Sequence, residues 1–106
     1  MDSGWLLADG EAVASALRVR TPWDRHRAAK SARRGETAAV LHAPTVMLGP
    51  LDVICVRNGS ATAVRTAGRR PVWLLRPGTV VVVVGRGDAA RCGMREGSAV
   101  ELRWTS

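Results

Sequence analysis

Short apolar runs separated by turn-forming residues recur along this chain, a pattern typical of a β-rich protein. The Asp-Gly pair at 9–10 and the Asn-Gly pair at 58–59 both suit the positive φ angles of tight turns. Each pair therefore predicts an antiparallel hairpin. A further hairpin is predicted where the Arg-Pro-Gly turn at 76–78 joins PVWLL to TVVVVV.

Five consecutive valines, Val80 to Val84, are too few for a helix and too β-branched to favour one. They predict a central strand that is buried on both faces. Near the end of the chain, Val100, Leu102 and Trp104 alternate with polar residues. This alternation predicts a strand with one buried face.

One helix is predicted in the segment TPWDRHRAAKSARRG. Thr21 suits the N-cap and Pro22 suits the first helical position. The helix is expected to continue to about Arg34, with Gly35 beyond its end. Trp23 is expected to anchor the helix, because the remaining apolar stripe consists of alanines.

These elements predict a mainly β fold with one or two short helices. The architecture is expected to be a compact β-sandwich, jelly-roll-like or barrel-like fold. The chain has 106 residues, enough for one hydrophobic core and too few for two ordinary ones. We therefore predict a single domain spanning residues 1–106.

The formal net charge is +7, and much of it lies in residues 18–36, which hold seven basic and two acidic side chains. The candidate anion-binding residues are Arg25, Arg27, Lys30, Arg33 and Arg34. Such a segment can attract phosphates through long-range, salt-sensitive forces. A solvated helix face explains the same charges, and no nucleic-acid-binding motif accompanies them. Binding of nucleic acid or another anion is therefore an alternative rather than the favoured interpretation.

His42, Asp52 and Cys55 supply the residue types of a nucleophilic site, but their arrangement argues against catalysis. Cys55 lies within an apolar run, which hides a thiol, and on a strand it points away from the face that carries Asp52. Neither Cys55 nor Cys92 has metal-ligand spacing, so both are expected to be buried, reduced thiols. We predict no catalytic residue, metal or cofactor, and a hydrolase-like enzyme is the disfavoured alternative. His26 and His42 are interpreted as ordinary surface or turn residues.

Gly85, Gly87 and Ala90 satisfy a relaxed dinucleotide-binding fingerprint directly after an apolar strand. Gly93 would break the following helix, and no second parallel strand is predicted after it. The fingerprint is therefore interpreted as a coincidence. Asp88 is expected to cap the short helix through its carboxylate.

The segment MDSGWLLADGE lacks the basic start and the long apolar stretch of a signal peptide. No apolar run approaches the length that crosses a membrane. We therefore expect a cytoplasmic protein with no membrane span. Its partner is expected to be a protein or a small ligand whose identity the sequence does not specify.

Three blocks resemble the bacterial and archaeal family known as domain of unknown function 192. The segment at 81–100 is similar to the family's closing segment, TPWDRHR at 21–27 to its Thr-Pro-acid-acid-Arg-x-Arg entry, and PLDV at 50–53 to its Pro-Leu-Asp core. The residues of the closing segment on the family pattern are Gly87, Ala90, Arg91, Gly93, Arg95 and Gly97. The resemblance implies a compact, mainly β domain of jelly-roll-like or sandwich architecture. It supplies no established reaction, cofactor or catalytic residue.

This chain departs from the family pattern in two places. An aromatic-Met-Lys-Asn-Thr-like segment before Pro-Leu-Asp is replaced by the shorter TVMLG at 45–49. Ser98 replaces the usual Asp of the final turn. The resemblance therefore implies a divergent member with a shortened central motif, and any family pocket built from that motif is expected to be lost here.

Asp52 is the lone carboxylate in the run MLGPLDVICV. We interpret it as the first polar, outward position of a strand, where it bonds neighbouring backbone N–H groups or an arginine. A polar group near a loop can also line a binding pocket, so Asp52 is a candidate pocket or turn residue. The leading hypothesis for the whole chain is a non-enzymatic small β domain that serves as a binding or accessory module.

Overall fold

The structure is a computed structural model that describes residues 2–35 and 37–105. Strands account for most of its regular structure, which confirms a mainly β fold with two short helices. In chain order the elements are β1 (Ser3–Ala8), β2 (Glu11–Arg18), α1 (Pro22–Arg33), β3 (Ala38–His42), β4 (Thr45–Met47), β5 (Leu51–Arg57), β6 (Ser60–Ala67), β7 (Val72–Leu74), β8 (Val80–Gly85), α2 (Asp88–Arg91) and β9 (Val100–Trp104).

Seven strands form one sheet in the order β6-β5-β8-β3-β2-β1-β9, and β4 pairs with β7 in a separate two-stranded ribbon. Neighbours in the large sheet are antiparallel except β2 and β3, which are parallel. A parallel pair needs a long crossover, because the chain must return to the end of the sheet where the first strand began. Helix α1 supplies that crossover.

The large sheet is curled, so that its two edge strands approach each other at one end. Ser60 of β6 forms an isolated bridge with Ala99, which precedes β9. The Val100 N–H donates to the carbonyl of Gly59, and the Ala61 N–H donates to the carbonyl of Ser98, both at 2.8 Å. The architecture is therefore a half-barrel, within the barrel-like class that the sequence predicts.

The inner face of the half-barrel carries one apolar cluster. Side chains from the strands, among them Leu6, Ile54 and Val82, are fully buried in it. Ala89 of α2 and the nearby Met94 close the cluster from the open side of the curl. This face is thus covered by a short segment that follows β8 directly.

The outer face carries a second apolar cluster, which α1 and the ribbon cover. Ala28 and Ala32 of α1 are fully buried there, and Met47 and Leu74 point into it from the ribbon. Helix α1 lies close to the sheet: a Cβ added at Gly85 would come within 2.8 Å of the Ala32 carbonyl oxygen. The small side chains at the contact permit this approach.

Strand β8 confirms the prediction made from the valine run. It lies between β5 and β3 in the sheet. Val82 and Val84 belong to the inner cluster, and Val81 and Val83 belong to the outer one. All four are buried, so both faces of the strand are covered.

The turns predicted at 9–10 and 58–59 are present, with positive φ at all four residues. They join β1 to β2 and β5 to β6 in antiparallel pairs, which confirms both hairpins. The hairpin predicted around 76–78 is wrong, because β7 pairs with β4 whereas β8 pairs with β5 and β3. Because β8 is buried on both faces, it lies between β5 and β3, which are both longer than β7. The three-residue β7 instead crosses the sheet and helps to cover its outer face.

The ends of α1 follow the prediction. The Thr21 hydroxyl accepts a hydrogen bond from the Asp24 N–H at 3.1 Å, and the helix ends at Arg33, just before Gly35 with its φ of 72°. The expectation that Trp23 anchors the helix is wrong, because its side chain is 77% exposed. None of the described helices is long and apolar enough to span a membrane.

Candidate binding surface

The structure does not gather the five predicted anion-binding residues into one site. Arg25 and Arg33 lie on the side of α1 that faces β4 and line a groove of about 410 Å³. Arg27, Lys30 and Arg34 are exposed. The helical period places Arg27 and Lys30 on the side of α1 opposite the buried Ala28 and Ala32.

The groove beside α1, here the α1 groove, has apolar walls and a cationic rim. Its lining residues are Pro22, Arg25, His26, Ala29, Arg33, Val46, Met47 and Leu48. The Arg25 guanidinium donates to the Val46 carbonyl and lies 3.7 Å from the Met47 sulfur. Arg25 is therefore held across the groove, and Arg33 at its rim remains exposed.

The ribbon extends this surface away from the helix. Val46 and Trp73 are cross-strand partners. The residue that follows each of them, Met47 and Leu74 respectively, points toward the sheet and belongs to the outer cluster. Because side chains alternate along a strand, Trp73 and Leu75 point outward, where they are 62% and 66% exposed. A depression of about 220 Å³ lies between Arg25, Trp73 and Leu75. The α1 groove and this depression together form the α1–ribbon surface.

A further cavity of about 300 Å³, the ribbon slot, opens between β7 and the β5–β6 hairpin. Its lining residues are Ala43, Cys55, Thr62, Ala63, Arg65, Trp73, Leu74, Leu75, Arg76 and Thr79. Burial raises the pKa of the Cys55 thiol, and the positive charge of Arg65 opposes that rise. The thiol is therefore protonated and weakly nucleophilic near neutral pH.

No aspartate or glutamate of the described residues lines the α1 groove, the ribbon depression or the ribbon slot. Several carboxylates are engaged elsewhere: Asp2 pairs with Arg18 and Arg20, Asp88 with Arg91, and Glu101 with Arg103. The cavities on the outer face therefore carry positive charge without a described local counter-charge. Such a surface favours anionic partners.

Asp52 lies away from these cavities, on the inner side of β5. One carboxylate oxygen accepts hydrogen bonds from the backbone N–H groups of Gly87 and Ala89 at 2.9 and 3.3 Å, and the other accepts from the Thr66 hydroxyl at 3.0 Å. Its expected outward position is wrong, because only 5% of the residue is exposed. The carboxylate thus satisfies donors at the start of α2, a structural role.

The expectation that Asp88 caps α2 is wrong. Gly87 is the N-cap, with a φ of 86°, and α2 has no capping bond from its own N-cap side chain. Asp88 instead accepts a hydrogen bond from Arg91. Asp52 supplies the acceptor from a strand distant in the sequence, which a local capping pattern cannot reveal.

The residue types considered for a hydrolase are dispersed. Cys55 belongs to the outer cluster, Asp52 lies on the inner side, and His42 is exposed. Among the residues described, no group of three His, Cys, Asp or Glu is placed to hold a metal ion.

Both cysteines are free thiols, but the second is less buried than expected. Cys92 is half-buried, and its sulfur lies 3.9 Å from the Val13 carbonyl oxygen. Burial and the nearby Asp88 carboxylate raise the pKa of Cys92. Its position beside α2 at the edge of the inner cluster explains the partial exposure.

No protein-family model matches this chain, and no curated protein matches it. Two solved structures are similar. A candidate transcription regulator from Sinorhizobium meliloti 1021 is 15% identical, with a TM-score of 0.68 over 95% of this chain and 92% of that one. A protein of unknown function from Novosphingobium aromaticivorans DSM 12444 is 18% identical, with a TM-score of 0.60 over 95% of this chain and 84% of that one. Identities this low show a shared fold and nothing more.

Proposed function

We propose that this small β domain is a non-enzymatic binding module that captures an acidic protein segment on the α1–ribbon surface. One observation carries the proposal: Trp73, Leu75 and Leu48 are each more than half exposed beside a groove with a cationic rim and no described carboxylate. Exposed apolar side chains with a charged rim are typical of protein interaction sites. Trp and Arg are also the residues that most often dominate binding energy.

The chemistry of the surface supports a partner that is both acidic and apolar. Apolar side chains of the partner segment would pack against Trp73 and Leu75, and its carboxylates would pair with Arg33 at the rim. Arg25 has a different role, because its guanidinium already donates to the Val46 carbonyl and shapes the groove wall. The partner segment is thus expected to alternate acidic and large apolar residues.

A peptide array that varies charge and apolar content independently tests this proposal, with affinities measured by fluorescence anisotropy. Acidic peptides with Trp, Phe or Leu should bind more tightly than basic-apolar or acidic-polar peptides. Arg33→Glu should weaken that binding at least about tenfold, because it puts a like charge opposite the peptide carboxylates.

Arg27→Glu is the matched control, because it makes the same charge change on the outward side of the same helix. Arg27→Glu should weaken binding far less than Arg33→Glu does. Trp73→Ser should weaken binding as much as Arg33→Glu does. Equal losses of affinity from Arg27→Glu and Arg33→Glu would show that the peptide is held only by non-specific electrostatic attraction. Unchanged binding by Trp73→Ser would remove the ribbon from the site.

Nucleic-acid binding through the outward side of α1 is a second candidate, favoured by the exposure of Trp23 near Arg27 and Lys30. An aromatic ring among basic side chains can stack on bases while the charges contact phosphates. A single aromatic offers a short platform, so we expect weak binding that disappears near physiological salt, where the Debye length is about 8 Å.

A salt titration with duplex and single-stranded DNA measures this candidate. Submicromolar binding at physiological salt that Arg27→Gln/Lys30→Gln abolishes would place nucleic acid ahead of protein. The logarithm of the binding constant should then fall with log salt at about −0.9 per phosphate contact on duplex DNA. Arg33→Gln is the control from the groove side.

The resemblance to domain of unknown function 192 is retained as a proposal of family membership. It is supported by the way two of the three resembling blocks meet: Asp52 from PLDV accepts hydrogen bonds from Gly87 and Ala89 of the closing segment. The divergent segment at 45–49 lines the α1 groove through Val46, Met47 and Leu48. A structure of a clear family member in which the matching Asp makes no bond to the matching helix would argue against membership.

We also propose that the protein functions in the cytoplasm. Cys55 belongs to the outer cluster, whereas Cys92 packs against the inner one. The sheet thus separates the two thiols, which is suited to a reducing compartment. Localisation of a tagged full-length chain by fractionation tests this assignment, and recovery outside the cytoplasm would overturn it.

A further inference from the structure

The ribbon slot has the form of a small-ligand site. Cys55, Leu74 and Thr79 are buried at its inner end, whereas Arg65 and Arg76 are exposed at its mouth. Its volume of about 300 Å³ is at the lower end of the range for ligand pockets, which combine apolar walls with a few polar groups.

Thr79 provides a polar group inside the slot. The residue is only 7% exposed, and it lines the cavity. The other threonine of the lining, Thr62, donates its hydroxyl to the Cys55 carbonyl at 3.2 Å. A hydroxyl at the wall of a cavity can donate to or accept from a ligand atom that enters it.

The mouth of the slot provides positive charge. Arg65 stands on the outer face of β6, opposite Val53, and Arg76 follows β7 on the other side of the opening. Neither guanidinium forms an ion pair with a described carboxylate. Two arginines on opposite sides of an opening can hold one carboxylate between them.

We propose that the ribbon slot binds a small monocarboxylate with an apolar body and a second polar atom at its far end. The carboxylate lies between Arg65 and Arg76, the body packs against Ala63 and Leu74, and the far polar atom bonds the Thr79 hydroxyl. The site does not depend on the α1 groove. The slot shares no lining residue with that groove, and it shares Trp73 and Leu75 with the ribbon depression.

Isothermal titration calorimetry of the full chain tests the proposal with 3-(4-hydroxyphenyl)propionate as the probe. Its neutral amide should bind about tenfold more weakly, because it loses the charge-assisted bonds. 3-Phenylpropionate, which lacks the hydroxyl, should bind several-fold more weakly. Arg65→Gln and Arg76→Gln should each lower the affinity for the acid and bring it close to that of the amide.

Thr79→Val keeps the shape of the side chain and should abolish the preference for the hydroxylated acid while leaving the preference for charge. Labelling of Cys55 in a Cys92→Ser background locates the ligand, since a molecule in the slot should shield the thiol that lies at its inner end. Arg33→Glu should leave both readouts unchanged, so this site and the proposed protein-binding surface can fail separately.

Three results would overturn the proposal. Equal affinity for the acid and its amide would leave an apolar cavity without anion recognition. Affinity unchanged by Arg65→Gln and Arg76→Gln would place the ligand elsewhere. Absence of both binding heat and Cys55 protection up to roughly 10 mM ligand would exclude a site, because that concentration would populate even a millimolar complex.

Discussion

The two faces of the half-barrel are covered in different ways. On the inner face, α2 and Met94 close the apolar cluster, and Asp52 satisfies backbone donors at the start of α2. On the outer face, α1 and the two-stranded ribbon cover the sheet incompletely and leave grooves beside them. Trp73 of the ribbon and Leu75 just after it are exposed there. The same strands support both faces.

The difference separates stability from recognition. The inner cover is held by hydrogen bonds that a buried carboxylate accepts, so loss of that one group disturbs both the strand and the helix. In the outer cover, α1 contacts the sheet through small residues, Ala28 and Ala32, and the ribbon directs large apolar side chains to solvent. Substitutions on the inner face should therefore affect folding, and those on the exposed outer surface should affect binding.

The largest expected effect is that of Val82→Asp, which buries a charge without a partner in the inner cluster. The variant should lose its cooperative unfolding transition, because the cost of an isolated buried charge exceeds the stability of a small domain. Circular dichroism during heating measures this. Leu75→Asp on the outer surface is the control and should unfold cooperatively, whereas a wild-type melting temperature for Val82→Asp would refute the burial of β8.

Asp52→Ala should have the next largest effect, a loss of about 2–4 kcal/mol in the free energy of unfolding. It leaves the backbone N–H groups of Gly87 and Ala89 without their acceptor, together with the Thr66 hydroxyl. Asp52→Asn retains an acceptor oxygen and should cost less. Urea unfolding measures both variants, and a loss below about 0.5 kcal/mol for Asp52→Ala would contradict the capping role.

The thiols should produce a smaller, pH-dependent effect. Burial raises the pKa of both Cys55 and Cys92 in the folded chain, so their contribution to stability is complete below the ordinary cysteine pKa of about 8.5 and is lost as pH rises through the folded values. Unfolding at increasing alkaline pH should show this decline, and Cys55→Ser/Cys92→Ser should reduce it. Native thiols should also label more slowly than in denaturant, and equal labelling rates would show that burial does not protect them.

Trp73→Ser should have the smallest effect on stability, within about 0.5 kcal/mol, because its side chain is mostly exposed. Urea unfolding compares it with Leu74→Ser, which replaces the inward-pointing neighbour on the same strand and should cost several times more. A large loss from Trp73→Ser would mean that the outer surface contributes to folding, and the separation of the two faces would not hold.

Local signals in the sequence predicted much of the fold. The turn dipeptides at 9–10 and 58–59, the caps of α1 and the valine run all act over a few neighbouring residues, where backbone preference decides the structure. The pairing of β7 with β4 was missed, because the sequence between β7 and β8 looks like an ordinary turn. Which strand β7 pairs with depends on the outer cluster that it must cover.

The candidate surface was less predictable than the fold. The charges of α1 were evident from sequence, but their division between the groove and the outward side depends on which stripe of the helix meets the sheet. The apolar pattern predicts Trp23 as the anchor of a stripe otherwise made of alanines, whereas the close approach of α1 to Gly85 favours Ala28 and Ala32. The ribbon slot joins residues from three separate strands, so no spacing along the chain indicates it.

The pairing of β1 with both β2 and β9 has a consequence for synthesis. On the ribosome, β1 and β2 can form their hairpin early, but the other edge of β1 must wait for residues 100–104. Until then its backbone N–H and C=O groups are open to strands of other chains. Contacts this distant in sequence also slow folding. Nascent chains that stop before β9 should therefore aggregate more readily than the completed protein.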